Sequence, residues 1–240
     1  MPAGISNTEW LLRDIRANGG TGGGGNSGGS TTAIKITSLI PTSFLYEVGQ
    51  NVTSVMFSAI LNKKKEDTLT ANLVSTGITT YNLLANMVDY EISGLYALGA
   101  NIVPNLNSTR TMQIQVADAN SSDTADITIK AGARIYYGAP SPTDPDPGSG
   151  DFSALTASDI FTNRLKTISV DGNGNKIVIA IPKAAPFNGE GAKFWINSLW
   201  VNAFNMEEAN FVNAYGVVLT YCVYTSIYNQ NGIGIDIEIR

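Results

Sequence analysis

Carboxylates are the only side chains in this chain that could carry ordinary acid–base chemistry. The 240-residue sequence contains no histidine and one cysteine, Cys222. The absence of histidine removes the commonest general base and the commonest metal ligand together. A single cysteine allows no intrachain disulfide and no thiolate metal site, and a catalytic thiol would lack its imidazole partner. Cys222 sits in a strand-like run with Val218, Thr220 and Tyr224 and reads as a small buried core residue. Two carboxylate pairs deserve weighing, Glu207 with Glu208 and Glu190 with Asp171. A glycosidase holds two carboxyl groups about 5 to 9.5 Å apart across a cleft. Adjacent Glu207 and Glu208 would point apart on a strand, and nothing in the sequence brings Glu190 to Asp171. The expectation is a protein without catalytic residues and without a cofactor.

Metal and ligand chemistry is similarly sparse. The run Asp171-Gly172-Asn173-Gly174-Asn175 resembles the opening of a calcium loop, but Lys176 stands where its sixth-position glycine belongs. Pro182 stands where its twelfth-position glutamate belongs, so the run reads as a tight turn. Asp144, Asp146 and Asp151 could bind calcium more loosely, and a solvated acidic loop is the preferred reading. Trp195, Trp200, Phe204, Tyr136 and Tyr137 are the aromatics that could stack on sugar rings. Along residues 194–204, read as one strand, Trp195 would oppose Phe194 and Trp200. One face should then be core, and the other either an interface or a glycan platform. Interface is preferred, since aromatics also anchor protein contacts. Asn51, Asn107 and Asn120 begin N-x-S/T triplets, which read as chance occurrences in turns.

Net charge is −5, and the one basic run, Lys63-Lys64-Lys65, is followed at once by Glu66 and Asp67. A nucleic-acid binder should show a basic face, and none is visible. No apolar stretch approaches the roughly 20 residues that span a bilayer, and no basic segment followed by an apolar run marks a secretory signal. Folding in the cytoplasm, without membrane insertion, is the expectation. Charged residues make up 15% of the chain, below the typical figure of about 25%. Low charge with much Thr, Ser, Asn and Gly suits all-β surface and virion proteins, and any secreted sandwich as well.

The elements that must position these residues are mostly strands. Residues 6–18 carry the one convincing helix signal. Ser6-Asn7-Thr8-Glu9 has the capping-box form, Trp10, Leu11, Leu12 and Ile15 follow, and Gly19 stands at the C-terminal cap position. A helix of about twelve residues is marginal alone in water, so it is expected to dock, either on its own body or on a partner. Behind it, eight of the thirteen residues 18–30 are glycine and none is apolar. Such a stretch is expected to act as a tether. It follows a helix instead of opening one and has no lysine in place, so it is no phosphate cradle.

From Thr31 onward short alternating runs dominate, such as Ile34 and Ile36, Met112-Ile114-Val116, and Ile127 and Ile129. The spacing predicts antiparallel sandwiches of the immunoglobulin type. The stretch 81–88 fits either a helical turn or a strand. The segment 139–151, with four prolines and three aspartates, reads as a loop. A short helix is expected over 153–163, where Thr156-Ala157-Ser158-Asp159 looks like a cap. Asp171-Gly172 and Asn173-Gly174 predict a hairpin ahead of Ile177, Ile179 and Ile181. The run 232–240 places Ile233, Ile235, Ile237 and Ile239 on one face of a half-buried strand.

Three further stretches carry a family resemblance. They are Tyr46-Glu47-Val48-Gly49-Gln50-Asn51-Val52-Thr53-Ser54-Val55, Ala133-Arg134-Ile135-Tyr136-Tyr137-Gly138 with Leu155-Thr156-Ala157-Ser158-Asp159-Ile160, and Val212-Asn213-Ala214-Tyr215-Gly216-Val217 with the closing strand. Together, over about residues 34–240, they resemble bacteriophage structural proteins of the tail-fibre and baseplate type. The resemblance implies a virion protein of tandem β-sandwich modules, displayed on the particle and engaged in host adhesion. A head decoration or head-fibre protein, or a carbohydrate-binding receptor-binding protein, is the alternative.

The resulting expectation is an all-β chain of two antiparallel, Ig-like sandwiches. An anchor helix spans 1–18, a Gly-rich tether 19–32, a first sandwich 33–133 and a second 134–240. Trp10, Leu11, Leu12 and Ile15 dock on other virion proteins (tail, baseplate or capsid). Copies of the chain form a homo-oligomer, and Trp195, Trp200 and Phe204 are the interface or glycan aromatics.

Overall fold

In the computed structural model, the described residues are 32–76 and 80–240. The anchor-helix assignment and Trp10, Leu11, Leu12 and Ile15 lie outside them. Residues 33–240 form one compact unit, and no α-helix occurs among the described residues. The fold is all-β and sandwich-like.

Nine strands build the first pair of sheets. They are β1 (Ile36–Ile40), β2 (Ser43–Glu47), β3 (Val52–Leu61), β4 (Leu69–Val74), β5 (Tyr81–Asn82), β6 (Met87–Val88), β7 (Glu91–Ile102), β8 (Thr109–Asp118) and β9 (Ser122–Gly132). One sheet has the order β1-β3-β7-β6 and the other β2-β9-β8-β4-β5. Pro41 has no amide donor to continue a ladder, and the chain changes sheets there. As a result β1 pairs antiparallel with β3, while β2 pairs parallel with β9. The stretch 81–88 combines two short strands with a 3-10 turn over Leu84–Asn86.

Alternation decides which residues enter the core. Val55, Phe57, Ala59 and Leu61 of β3 meet Ile92, Tyr96 and Leu98 of β7 and, from the facing sheet, Met112, Ile114 and Val116 of β8. Phe57 stacks on Tyr96 with ring centroids 4.5 Å apart. Burial pushes the Tyr96 phenol up to about 12. The polar residues between them, such as Ser54 and Ser58, face outward.

The second pair of sheets uses β10 (Tyr136–Gly138), β11 (Thr156–Ala157), β12 (Lys166–Val170), β13 (Val178–Pro182), β14 (Phe194–Ile196), β15 (Leu199–Val201), β16 (Phe204–Val212), β17 (Val218–Ser226) and β18 (Ile235–Ile239). Their orders are β11-β10-β13-β17-β16 and β12-β18-β14-β15. Ile168, Ile179, Ile181, Phe194, Cys222, Ile237 and Ile239 fill the space between them. β13 and residues 221–224 of β17 are buried on both faces. The segment following β10 folds over the outer side of their sheet, and Phe152 stacks on Phe211 at 4.7 Å. The proline-rich segment is therefore a covering loop of this sandwich.

Three sequence expectations fail here. The helix expected over 153–163 is absent, because Thr156 and Ala157 pair with Tyr137 and Tyr136 as a strand. The Ser158 hydroxyl, read as part of a cap, instead accepts from Ile135 N at 2.9 Å. No hairpin forms across 171–174 either. β12 pairs with β18, whereas β13 pairs with β10 and β17, so this turn carries the chain from one sheet to the other. Finally, 194–204 is not one strand, because a tight turn at Asn197 and Ser198 folds it into the β14–β15 hairpin.

The two sandwiches meet without a linker. β9 ends at Gly132, and Ala133 at once exchanges two backbone hydrogen bonds of 3.0 Å with Phe161. A Cβ on Gly132 would lie 2.3 Å from the Phe161 carbonyl oxygen, so only glycine permits this approach. Arg134 Nε donates to Glu47 Oε2 at 2.9 Å, and its Nη1 donates to Ser158 O at 2.7 Å. Glu47 is only 5% exposed. Asn213, also buried, accepts from Tyr215 N and Val217 N while its amide donates to Val48 O at 2.7 Å. The Tyr221 hydroxyl donates to Arg134 O at 3.1 Å. Burial, then the neighbouring Tyr136 and Glu47, push that phenol well above its usual range, so it remains a donor.

At the other end of the first sandwich, Lys63 and Asp118 form a buried ion pair. The Lys63 ammonium, seconded by the Asn120 amide, holds the Asp118 carboxyl well below its usual range. A depressed folded value adds stability above the unfolded value of 3.8, which is lost as pH falls toward the folded one. Two outcomes are expected. Thermal unfolding followed from pH 5 down to pH 2 should show an acid-dependent loss that Asp118→Asn flattens. Arg134→Met should leave Glu47 buried without its partner and cost about 3 kcal/mol by chemical denaturation.

Candidate functional site

The tight turn that splits 194–204 decides where the tryptophans go. Asn197 and Ser198 both adopt positive φ, 49° and 67°, the combination a two-residue type I′ hairpin requires. Trp195 then stands directly across from Trp200, and Phe194 across from Val201. Directly opposed residues share a face of the sheet. Trp195 and Trp200 are therefore on the same outer face, contrary to the alternation expected of a single strand. Phe194 points inward and is buried.

Neighbouring strands complete this face. Glu238 of β18 lies on the other side of Trp195, and Thr167 of β12 lies beyond Glu238. Arg240 binds Glu238 through two contacts, Nε to Oε1 at 2.7 Å and Nη2 to Oε2 at 2.9 Å. Its guanidinium carbon also sits 4.6 Å from the Trp195 ring centroid. Trp195 is thus partly covered by a cation that is itself held by a carboxylate. Trp200, on the edge strand, is 62% exposed. The result is an aromatic edge beside a charged centre, able to stack on a flat apolar surface and to hydrogen-bond next to it.

The other residues singled out in the sequence are placed elsewhere. Phe204 is half-buried against the second core, 4.7 Å from the Phe194 ring. Tyr136 is buried among Phe152, Phe211 and Tyr221. Glu208 pairs with Lys183 at 2.5 Å, and Glu207 lies against Gly148. Asp144, Asp146 and Asp151 accept from the amides of Ser141, Gly148 and Ser153 respectively, the ordinary work of aspartates in turns. Among the described residues, no three His, Cys, Asp or Glu side chains converge as a metal-holding group. No described helix is long and apolar enough to cross a membrane.

Sequence reading missed the end of the second sandwich farthest from the joint. There the turn after β12 and the β17–β18 connection are laced together. Gly172 N donates to Gly232 O at 2.8 Å, Gly174 N to Gln230 O at 2.9 Å, and Gly234 N to Asp171 Oδ1 at 2.7 Å. Tyr228 and Ile233, on that connection, are 69% and 84% exposed. The available signal was the density of Asn and Gly on both sides of apolar runs, which marked turns without showing that they meet.

Ser198 holds a left-handed conformation that glycine adopts more cheaply. Ser198→Gly is expected to stabilise the chain by about 0.5–1 kcal/mol, read as a raised unfolding midpoint with the tryptophan emission of the folded state unchanged.

Neither a protein-family profile nor a curated protein sequence matches the chain. Among solved structures, one described as "Anomalous substructure of Titin-A168169" is similar at 10% identity, with a TM-score of 0.30. The match covers 87% of this chain and 96% of that one, a likeness too slight to argue from.

Proposed function

We propose that this chain is a non-enzymatic structural protein of a bacteriophage particle, of the tail-fibre or baseplate type. In this reading residues 1–18 anchor it to other virion proteins, residues 19–32 serve as the tether, and two Ig-like sandwiches are displayed outward for host adhesion. The observation that carries it is the joint. Two sandwiches fastened by Glu47–Arg134 and by Asn213 to the Val48 carbonyl suit a stiff display arm better than a hinged enzyme cleft.

Strand directions add support. The chain enters the first sandwich at Ile34, whose amide donates to Ser121 Oγ at the end away from the joint. The Trp195–Trp200 hairpin turns at the end of the second sandwich away from the joint. Attachment and display would then sit at opposite ends. The strand order of the first sandwich, β1-β3-β7-β6 against β2-β9-β8-β4-β5, supports the Ig-like reading, since it matches ABED against GFC with one strand added at each edge of the GFC sheet.

Homo-oligomerisation fits the exposed pair Met56 and Leu95, which oppose each other on the outer face of β3 and β7. Several copies on one particle would make weak host contacts effective through avidity.

Deleting residues 1–18 is expected to abolish incorporation of the chain into particles, measured by immunoblot of purified virions, while the soluble chain stays folded. Unchanged incorporation would contradict the anchor. Particles lacking the whole chain should assemble and fail to adsorb to cells. Particles that fall apart yet adsorb would instead identify a head decoration.

A further inference from the structure

We infer a binding site for a neutral saccharide in the cleft where the two sheets of the second sandwich part, beside the turn at 171–174. The cleft has a volume of about 470 Å³, within the range of small-ligand sites. Its wall combines Tyr137 of β10, Thr156 of β11, Ser169 of β12, Asp171 and Asn173 of the turn, and Asp144 of the proline-rich loop.

The lining chemistry names the ligand class. Ser169, Thr156 and Asn173 can each donate and accept, and their side chains make no hydrogen bond among the described residues. Asp144 has one oxygen engaged by Ser141 N, and Asp171 has one engaged by Gly234 N, which leaves the second oxygen of each to accept. Vicinal hydroxyls of a sugar both donate and accept and match this set. Among the described residues, Tyr137 is the one aromatic ring in the wall and can lie against the C–H face of a pyranose. Among the described residues no Lys or Arg lines this cleft, so a carboxylated or sulfated sugar here would meet two carboxylates and no cation. A protein partner would want an apolar anchor pocket, which this hydrophilic cleft does not offer.

Two features make the site a built one. Its floor is braced: besides the lacing to 230–234, Asn175 Nδ2 donates to Ala139 O at 3.3 Å, tying the turn to the proline-rich loop. Such bracing lowers the ordering cost of binding. Pro140 and Asp144 also line a second cleft, of about 390 Å³, together with Asp146, Asn175, Lys176 and Asn229, where the single cation of the described lining stands among carboxylates. The two clefts adjoin across these shared residues, which suits consecutive units of an oligosaccharide.

The inference rests on the display reading only for its biological use, since binding is measured on the full chain in solution. The probe is an array of neutral hexose and N-acetylhexosamine oligosaccharides, with sulfated and sialylated ones as controls, followed by calorimetric titration of the positives. Wild type should bind neutral glycans and not the anionic controls. Asn173→Gly, which keeps the positive φ, and Thr156→Val, which removes a hydroxyl and keeps the strand-forming shape, should each weaken binding by about tenfold with unchanged unfolding midpoints. Trp200→Ala should bind as wild type. Amide shifts of the wild-type chain on titration should map to 137–144 and 169–175 without recourse to any variant. Absence of neutral-glycan binding, or binding that Trp200→Ala abolishes and the cleft variants spare, overturns the proposal. Deletion of 1–18 leaves the cleft in place, so a failed anchor and a failed glycan site give separate results.

Discussion

The structure of residues 33–240 depends on one contact set, the joint at which β9 runs into the second sandwich. Two β-sandwiches on one chain would ordinarily be separated by a few polar residues and would reorient freely. Here Gly132 ends one ladder and Ala133 opens a bridge to Phe161 in the next residue. The sandwiches are also tied away from the covalent connection. Glu47 comes from the end of β2, and Asn213 from the turn between β16 and β17. A buried carboxylate and a buried carboxamide are costly unless fully engaged. Their partners, Arg134 and the Val48 carbonyl, each lie across the joint. Bending the joint would strip those partners away, so the polar groups hold the interdomain angle.

That constraint gives the molecule a direction. The strands of both sandwiches run toward or away from the joint, so each sandwich has one occupied end and one open end. The open end of the first bears the chain entry and the Lys63–Asp118 pair. The open end of the second bears the tryptophan hairpin and the laced turns. Recognition elements on a sandwich belong at such loop ends, because a rigid scaffold positions them while their sequences stay free to vary. The Trp195 face and the hydroxyl-lined cleft are two surfaces of that same end, with different chemistry. One is aromatic with an engaged ion pair, and the other is polar with unengaged hydroxyl and amide groups.

Much of the strand content was legible because burial follows alternation. β3, β8 and β18 could be read directly from residues such as Val55, Ile114 and Ile237. The proline-rich loop was equally plain. Pairing was not legible. The turn at 171–174 has hairpin chemistry, yet nothing local tells a strand which sheet it will join. Asn197-Ser198 was invisible as a turn because it lacks the glycine that usually marks one, and the missed turn put Trp195 and Trp200 on the wrong faces. Thr156-Ala157-Ser158-Asp159 looked like a helix cap because caps and turns use the same side chains. Pairing with Tyr136 and Tyr137 outweighed that local preference. The joint itself was out of reach: Glu47 and Arg134 are 87 positions apart in the chain, and Asn213 lies 165 from Val48.

Residual dipolar couplings on the full chain test the central claim most directly, namely that the joint makes one rigid body of the two sandwiches. Couplings from 36–132 and from 136–239, fitted separately, should give the same alignment tensor in magnitude and orientation. Two tensors of different magnitude would mean that the sandwiches move independently, and the account of a stiff display arm would fall.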